Sequence, residues 1–84
     1  MKITTVNKNS NLIADVIDEN VIISDAQSAL DLIMSIKYET GAQSIIINKE
    51  AICEEFFILS SGIAGEILQK FIKYHARLAI YADF

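Results

Sequence analysis

Residues 24–48 read SDAQSALDLIMSIKYETGAQSIIIN, an amphipathic helix that runs into a strand, and this stretch decides the fold. Ser24 with Gln27 three positions later makes a capping box, and Asp25 adds negative charge at the positive end of the helix dipole. Ala26, Ala29, Leu30, Ile33, Met34 and Lys37 then recur at the i, i+3, i+4, i+7 spacing of one buried stripe. Gly41 follows Tyr38-Glu39-Thr40, where a left-handed C-terminal cap needs a glycine. Ser44-Ile45-Ile46-Ile47 is a β-branched run without polar alternation. A strand apolar on both faces belongs in the middle of a covered sheet, and Asn48 ends it.

Working outward, Lys2–Asn7 and Asn11–Ile17 read as two short strands joined through the turn cluster Asn7-Lys8-Asn9-Ser10-Asn11, a β-hairpin. Asp18-Glu19-Asn20 is a second polar turn, and Val21-Ile22-Ile23 is either a strand extension or the entry to the first helix. Beyond the central strand, Ala51–Phe57 has the makings of a helical turn that drops Ile52, Phe56 and Phe57 into the core. A second helix begins at Ser60-Ser61 and runs through Ala64, Ile67, Leu68, Phe71 and either Ile72 or His75. Glu66 and Lys70 form a favourable i, i+4 pair on it, and Lys70 and Lys73 sit near its negative end. Leu78–Ala82 is the last strand. The order is β-β-α-β-α-β, an α/β class with helices packed on a mixed sheet. Right-handed crossovers make the strands flanking each helix parallel. Residues 1–84 form one domain.

Composition narrows the function classes. Apolar and aromatic residues make up 52% of the chain, too many for a disordered segment. Proline is absent and there are three glycines, so nothing reads as a linker. The apolar runs are far too short to span a bilayer, and the N-terminus carries no secretory signal. No membrane partner is expected. A single cysteine, Cys53, excludes an internal disulfide and agrees with a reducing, cytoplasmic setting. Seven basic and eleven acidic side chains leave a net charge of −4. Such a surface repels a phosphate backbone, so nucleic acid is not expected either.

No catalytic set stands out. Glu54 and Glu55 beside Cys53 would raise a thiol pKa, which is the wrong direction for a nucleophile. His75 is the one histidine, placed near Arg77, and a capping or buried role explains each better than a dyad does. No Cys/His spacing suggests a metal, and no cofactor is implied. Gly62 and Gly65 lack the denser glycine pattern and the lysine of a phosphate-cradling loop, so close helix-to-sheet packing is the expected reason for them. Ser60 and Ser61 would serve as N-cap and spare hydroxyl. Glu54 and Glu55 beside Phe56 and Phe57 form an acidic–aromatic loop of the kind at which a protein partner docks.

Two resemblances carry the reading further. The segment Ser44–Ala82 resembles the central half of STAS domains, the fold of bacterial anti-sigma-factor antagonists. There a hydrophobic strand leads to Asp-Ser-Ser/Thr-Gly-Leu-Gly at the start of a helix; here the loop delivers Leu59-Ser60-Ser61-Gly62-Ile63-Ala64-Gly65. Leu59 stands where that motif has aspartate, and Ala64 intervenes before the second glycine. Over nearly the whole chain, Ala29-Leu30-Asp31-Leu32-Ile33, Phe56-Phe57 and Ser61-Gly62-Ile63-Ala64-Gly65-Glu66-Ile67-Leu68-Gln69-Lys70-Phe71 look like an uncharacterised bacterial family, domain of unknown function 4180. Members of that family extend through a further helix and strand, so the resemblance implies a C-terminally shortened copy. The STAS likeness implies a phosphoacceptor at Ser60. A phosphoryl group there would meet free backbone N–H groups and add nearly two negative charges to the surface.

The expectation is a non-catalytic STAS-like module that binds a protein of unknown identity. Its face would be the loop 50–57 and the start of the second helix, with Glu54, Glu55, Phe56, Phe57, Leu59 and Ile63 as contacts. The alternative is a binder of a small anion at Ser60, Ser61 and Gly62, for example a ligand sponge encoded by a mobile element. The exposed end of the sheet, Leu78–Phe84, is expected to pair or pack with another copy as a two-fold homodimer.

Overall fold

A computed structural model describes residues 1–82. The first strand, β1 (Lys2–Lys8), pairs antiparallel with β2 (Asn11–Ile17), and Lys8 opposite Asn11 closes the ladder. The turn is therefore only Asn9-Ser10, with φ of 52° and 67°. Left-handed conformation at both central residues is the type I′ geometry whose twist matches a hairpin, and asparagine tolerates it well.

The chain continues through α1 (Ala26–Thr40), β3 (Ser44–Asn48), three short 3-10 turns (Lys49–Ala51, Glu54–Phe57 and Leu59–Ser61), α2 (Ile63–Lys73) and β4 (Arg77–Tyr81). The sheet order is β1-β2-β3-β4. β2, β3 and β4 are parallel to one another, as the helical crossovers require. The final strand was expected at Leu78–Ala82 and lies one residue earlier; the sheet end at Leu78–Phe84 includes residues 83–84, which lie outside the described residues.

One face of the sheet carries the core. Ala14 and Val16 of β2 and Ile45 and Ile47 of β3 are buried against Ala29, Leu32, Ile33 and Ile36 of α1 and Ile67 and Phe71 of α2. The register puts the alternate residues on the opposite face: Val6, Ile13, Ser44 and Arg77 in one row, and Thr4, Asp15, Ile46 and Ala79 in the next. Among the described residues no helix covers that second face. Val6 and Ile17 are exposed there, and Ile13 and Ile46 are half-buried. Asp15 Oδ1 is shielded from solvent at its centre with no hydrogen-bond partner.

Three sequence expectations shift. The cap of α1 is Asp25, not Ser24: Asp25 accepts from Ser28 N–H at 2.8 Å while Ser28 Oγ accepts from Asp25 N–H at 3.0 Å. The buried stripe of α1 is Ala29, Leu32, Ile33 and Ile36. Met34 is exposed, and Lys37 reaches across to donate from Nζ to Tyr74 O at 2.8 Å, tying the two helices. Val21–Ile23 neither extends β2 nor enters α1. Ile22 and Ile23 N–H donate to Ala51 O, Cys53 N–H donates to Ile23 O, and Ile23 bridges Ile52 in parallel. This small bridge fastens the loop after β3 beneath the start of α1. Gly41 caps α1 with φ 77°, as its position indicated.

Candidate functional site

The segment between β3 and α2 takes its shape from short-range geometry. Lys49–Ala51, Glu54–Phe57 and Leu59–Ser61 are each a single 3-10 turn, and such turns place side chains on no lasting stripe. Consecutive residues therefore point in different directions. Ala51, Ile52 and Cys53 go inward, Phe56 is half-buried, and Phe57, Ile58 and Leu59 go out. Leu59 is 97% exposed. The expectation that Phe57 joins the core fails for this reason. Its ring meets Phe56 edge-on at 5.1 Å, and Lys49 Nζ sits 5.3 Å from its centroid on the outer surface.

Ser61 closes this loop. Its hydroxyl lies 2.6 Å from Glu55 O and 2.8 Å from Ile58 O, within donating reach of both, and its oxygen also accepts from Ile63 N–H at 3.3 Å. Neither serine is the N-cap of α2. Gly62 is, with φ 74° and no side-chain cap bond, because the chain must turn out of the last 3-10 turn through a left-handed residue. Ser60 is exposed beside Leu59. A Cβ built on Gly62 or Gly65 meets nothing within 4 Å, so close helix-to-sheet packing is not what these glycines do. Glu54 and Glu55 are exposed and Ile63 is half-buried. Glu54, Glu55, Phe57, Leu59 and Ser60 are thus all exposed along one short segment, with Phe56 and Ile63 half-buried within it.

Comparison with known proteins now has a geometry to attach to. Residues 8–84 match a family described as a domain of unknown function, DUF4180. The chain belongs to that family. No curated protein and no solved structure matches it.

The remaining residues of this DUF4180 chain that invite chemistry are scattered. Cys53 is buried, with Sγ 3.6 Å from Ser24 O. His75 is exposed in a left-handed conformation, φ 56°, at the turn into β4. With Arg77, Gln43, Ser44 and Asn11 it lines an open cavity of about 550 Å³. That cavity sits at the amino ends of the parallel strands, where the two helices end. The loop after β3 lies at the opposite end. Doubly wound α/β sheets bind ligands at the carboxyl ends of strands where the strand order reverses; β2, β3 and β4 run in sequence without such a reversal. Among the described residues no three of His, Cys, Asp and Glu cluster as metal ligands, and no helix is long and apolar enough to cross a membrane.

Sequence reading missed Ile58, which is exposed between Phe57 and Leu59, and Asn48. Asn48 is 7% exposed and ties β3 to the chain leaving β2. The sequence placed Asn48 only as the end of the isoleucine run; its burial, and hence its need for hydrogen-bond partners, shows in the structure alone.

Proposed function

We propose that this DUF4180 chain is a non-catalytic, STAS-like binding module that docks a protein partner through the loop 50–57 and the start of α2. The observation that carries the reading is the exposed run Phe57-Ile58-Leu59, with Leu59 almost wholly in solvent and Glu54 and Glu55 beside it. Three consecutive large apolar side chains held outward by hydrogen-bonded turns form a ready-made anchor, and such anchors surrounded by polar groups are where interface energy concentrates. The STAS-like part draws support from the antiparallel β1–β2 pair, the parallel β2-β3-β4 run and the Ser60-Ser61-Gly62 turn opening α2. Ser60, exposed beside the anchor, is the residue at which phosphorylation would add charge to the docking face. A cytoplasmic setting suits a lone buried thiol. The competing anion site has less to draw on, since Ser61 Oγ is already engaged with two backbone carbonyls.

The test is crosslinking from a photoreactive residue at position 58, followed by a binding titration of each captured protein with purified wild type and Leu59→Asp. Leu59 is almost wholly in solvent, so the variant should melt like the wild type while its Kd rises at least about tenfold. Identical affinities for both would sink the reading.

A further inference from the structure

Among the described residues β4 is an end strand, with β3 its one neighbour. Arg77 N–H donates to Gln43 O at 2.8 Å. In an extended chain successive N–H and C=O groups point to alternate sides. Those of Arg77, Ala79 and Tyr81 thus face β3, and those of Leu78 and Ile80 point outward along the free edge. This edge has no proline and no bulge, and its one charged residue sits at its first position, so it lacks the usual protections against pairing. Leu78 and Ile80 face the helix layer yet stay half-exposed.

Above that edge, α2 carries more apolar surface than the domain covers. At about 100° per residue, Ile63, Ile67, Phe71, Ala64, Leu68, Ile72 and Gly65 occupy an arc of roughly 200°. Ile67 and Phe71 are buried, whereas Ile72 is 74% exposed and Leu68 and Gly65 are exposed with it. Lys37 and Tyr74 mark the flank turned to α1. The uncovered part of the arc lies on the other flank, over β4.

We propose that a second copy of this chain covers both features, with β4 pairing antiparallel to its counterpart about a two-fold axis through Ala79. The strand is self-complementary in that register. Leu78 opposes Ile80 of the second copy, and both are residues whose backbone groups point outward. They therefore exchange about four inter-chain hydrogen bonds on the two sides of the axis. On the helix side the same pairs are apolar on apolar, topped by Leu68 and Ile72 of both copies, and Gly65 lets the two α2 helices approach. On the other face Arg77 meets Tyr81 of the second copy, a cation over an aromatic ring. The small Ala79 sits on the axis. The open sheet face is the weaker candidate for self-association, because packing it would bury Asp15 with its unpartnered Oδ1. A ribbon of five residues per strand with two helix side chains is a small interface, so micromolar affinity is expected. The interface does not involve Leu59 and stands or falls separately from the docking surface.

The test uses the full chain in sedimentation velocity from about 1 to 300 µM, with Ala79→Lys and Ile72→Lys beside the wild type. Both substituted positions are exposed, so low-concentration melting should not change, whereas each added cation faces its own copy and weakens dimerisation at least about tenfold. Ala79→Cys should oxidise to a covalent dimer at least about tenfold faster than Thr4→Cys, because residues opposed without hydrogen bonds have Cα atoms about 4.5 Å apart. A wild type monomeric at 300 µM overturns the proposal. So does a dimer indifferent to both lysines, or equal oxidation of the two cysteine variants.

Discussion

Asn48→Ala isolates one polar connection that the fold uses twice. Asp18 N–H donates to Asn48 Oδ1 at 3.0 Å, and Asn48 Nδ2 donates to Asp18 O at 2.7 Å. The β2–β3 ladder pairs residues as far as Val16 and Ile47, so the amide acts as one further rung, holding the chain just as it leaves β2. Alanine removes both bonds and leaves a part-buried N–H and C=O behind. Each is worth about 1 kcal/mol, with a smaller added cost where water reaches the groups poorly, so the loss should be roughly 2–3 kcal/mol. For a domain of this size that lowers Tm by about 10–15 °C. Urea titration followed by far-UV circular dichroism reads it directly, and an unchanged m-value would show that the native surface is intact. Asn48→Asp separates bonding from packing. It keeps the volume and the acceptor but loses the donor, and it sets a carboxylate against Asp18 O with Glu50 Oε1 nearby (3.5 Å from Nδ2). At neutral pH it should lose at least as much as alanine does. A loss below about 0.5 kcal/mol for alanine, or wild-type stability for aspartate, would refute the account.

Two glycines three residues apart should respond with opposite signs. Gly65→Ala, in open space on α2, is expected to add about 0.5–1 kcal/mol; Gly62→Ala, at φ 74°, should cost about 1–2 kcal/mol, and equal effects in thermal melts would contradict the assigned conformations. The carboxyl of Asp25 is held below its ordinary range, first by the backbone N–H of Ser28 and then by its hydroxyl, and that of Asp18 first by the backbone N–H of Asn20 and then by the N-terminal ammonium 3.2 Å away. Depressed values mean that this stabilisation is present above the ordinary carboxylate pKa and is lost as pH falls through the folded values, so stability should drop below about pH 4. Asp25→Asn cannot titrate; its stability deficit at neutral pH should close over that window, and a deficit constant with pH would exclude the charged cap.

The interior position of β3 was legible in Ile45-Ile46-Ile47 because a strand apolar on both sides has few places to lie, but the cover expected on both its faces is present only on the side of Ile45 and Ile47. The helices were legible in their periods and in the Gly41 cap, but both N-caps were misplaced, and the burial of α1 was misassigned for a definable reason. Its sequence holds two overlapping apolar rows, one through Leu30 and Met34 and one through Leu32 and Ile36. Both satisfy helical spacing. What chooses between them is the position of α2, which takes the flank of Lys37 and leaves Met34 outside. The shift of the cap from Ser24 to Asp25 has a similar origin. Both residue types cap well, and the deciding factor is whose partner reaches back: Ser28 Oγ accepts from the N–H groups of both Ser24 and Asp25, which Gln27 does not.

The proposed docking surface was legible in composition but not in orientation. The acidic residues at 54–55 are exposed, but Phe56 and Phe57 are adjacent letters with different fates. A helix or strand would assign them to faces by its period. Three separate 3-10 turns have none long enough to do so, and each turn's direction is set instead by backbone bonds such as Ile58 N–H to Glu55 O and Ser61 N–H to Ile58 O. Ser60 and Ser61 are both exposed, but Ser61 Oγ is held against the carbonyls of Glu55 and Ile58. Of two neighbouring serines that a capping argument treats as interchangeable, one is therefore a structural tie and the other an accessible hydroxyl. Ser61→Ala would be expected to loosen the proposed anchor at Leu59, whereas Ser60→Ala would leave it in place and remove only the proposed phosphoacceptor hydroxyl.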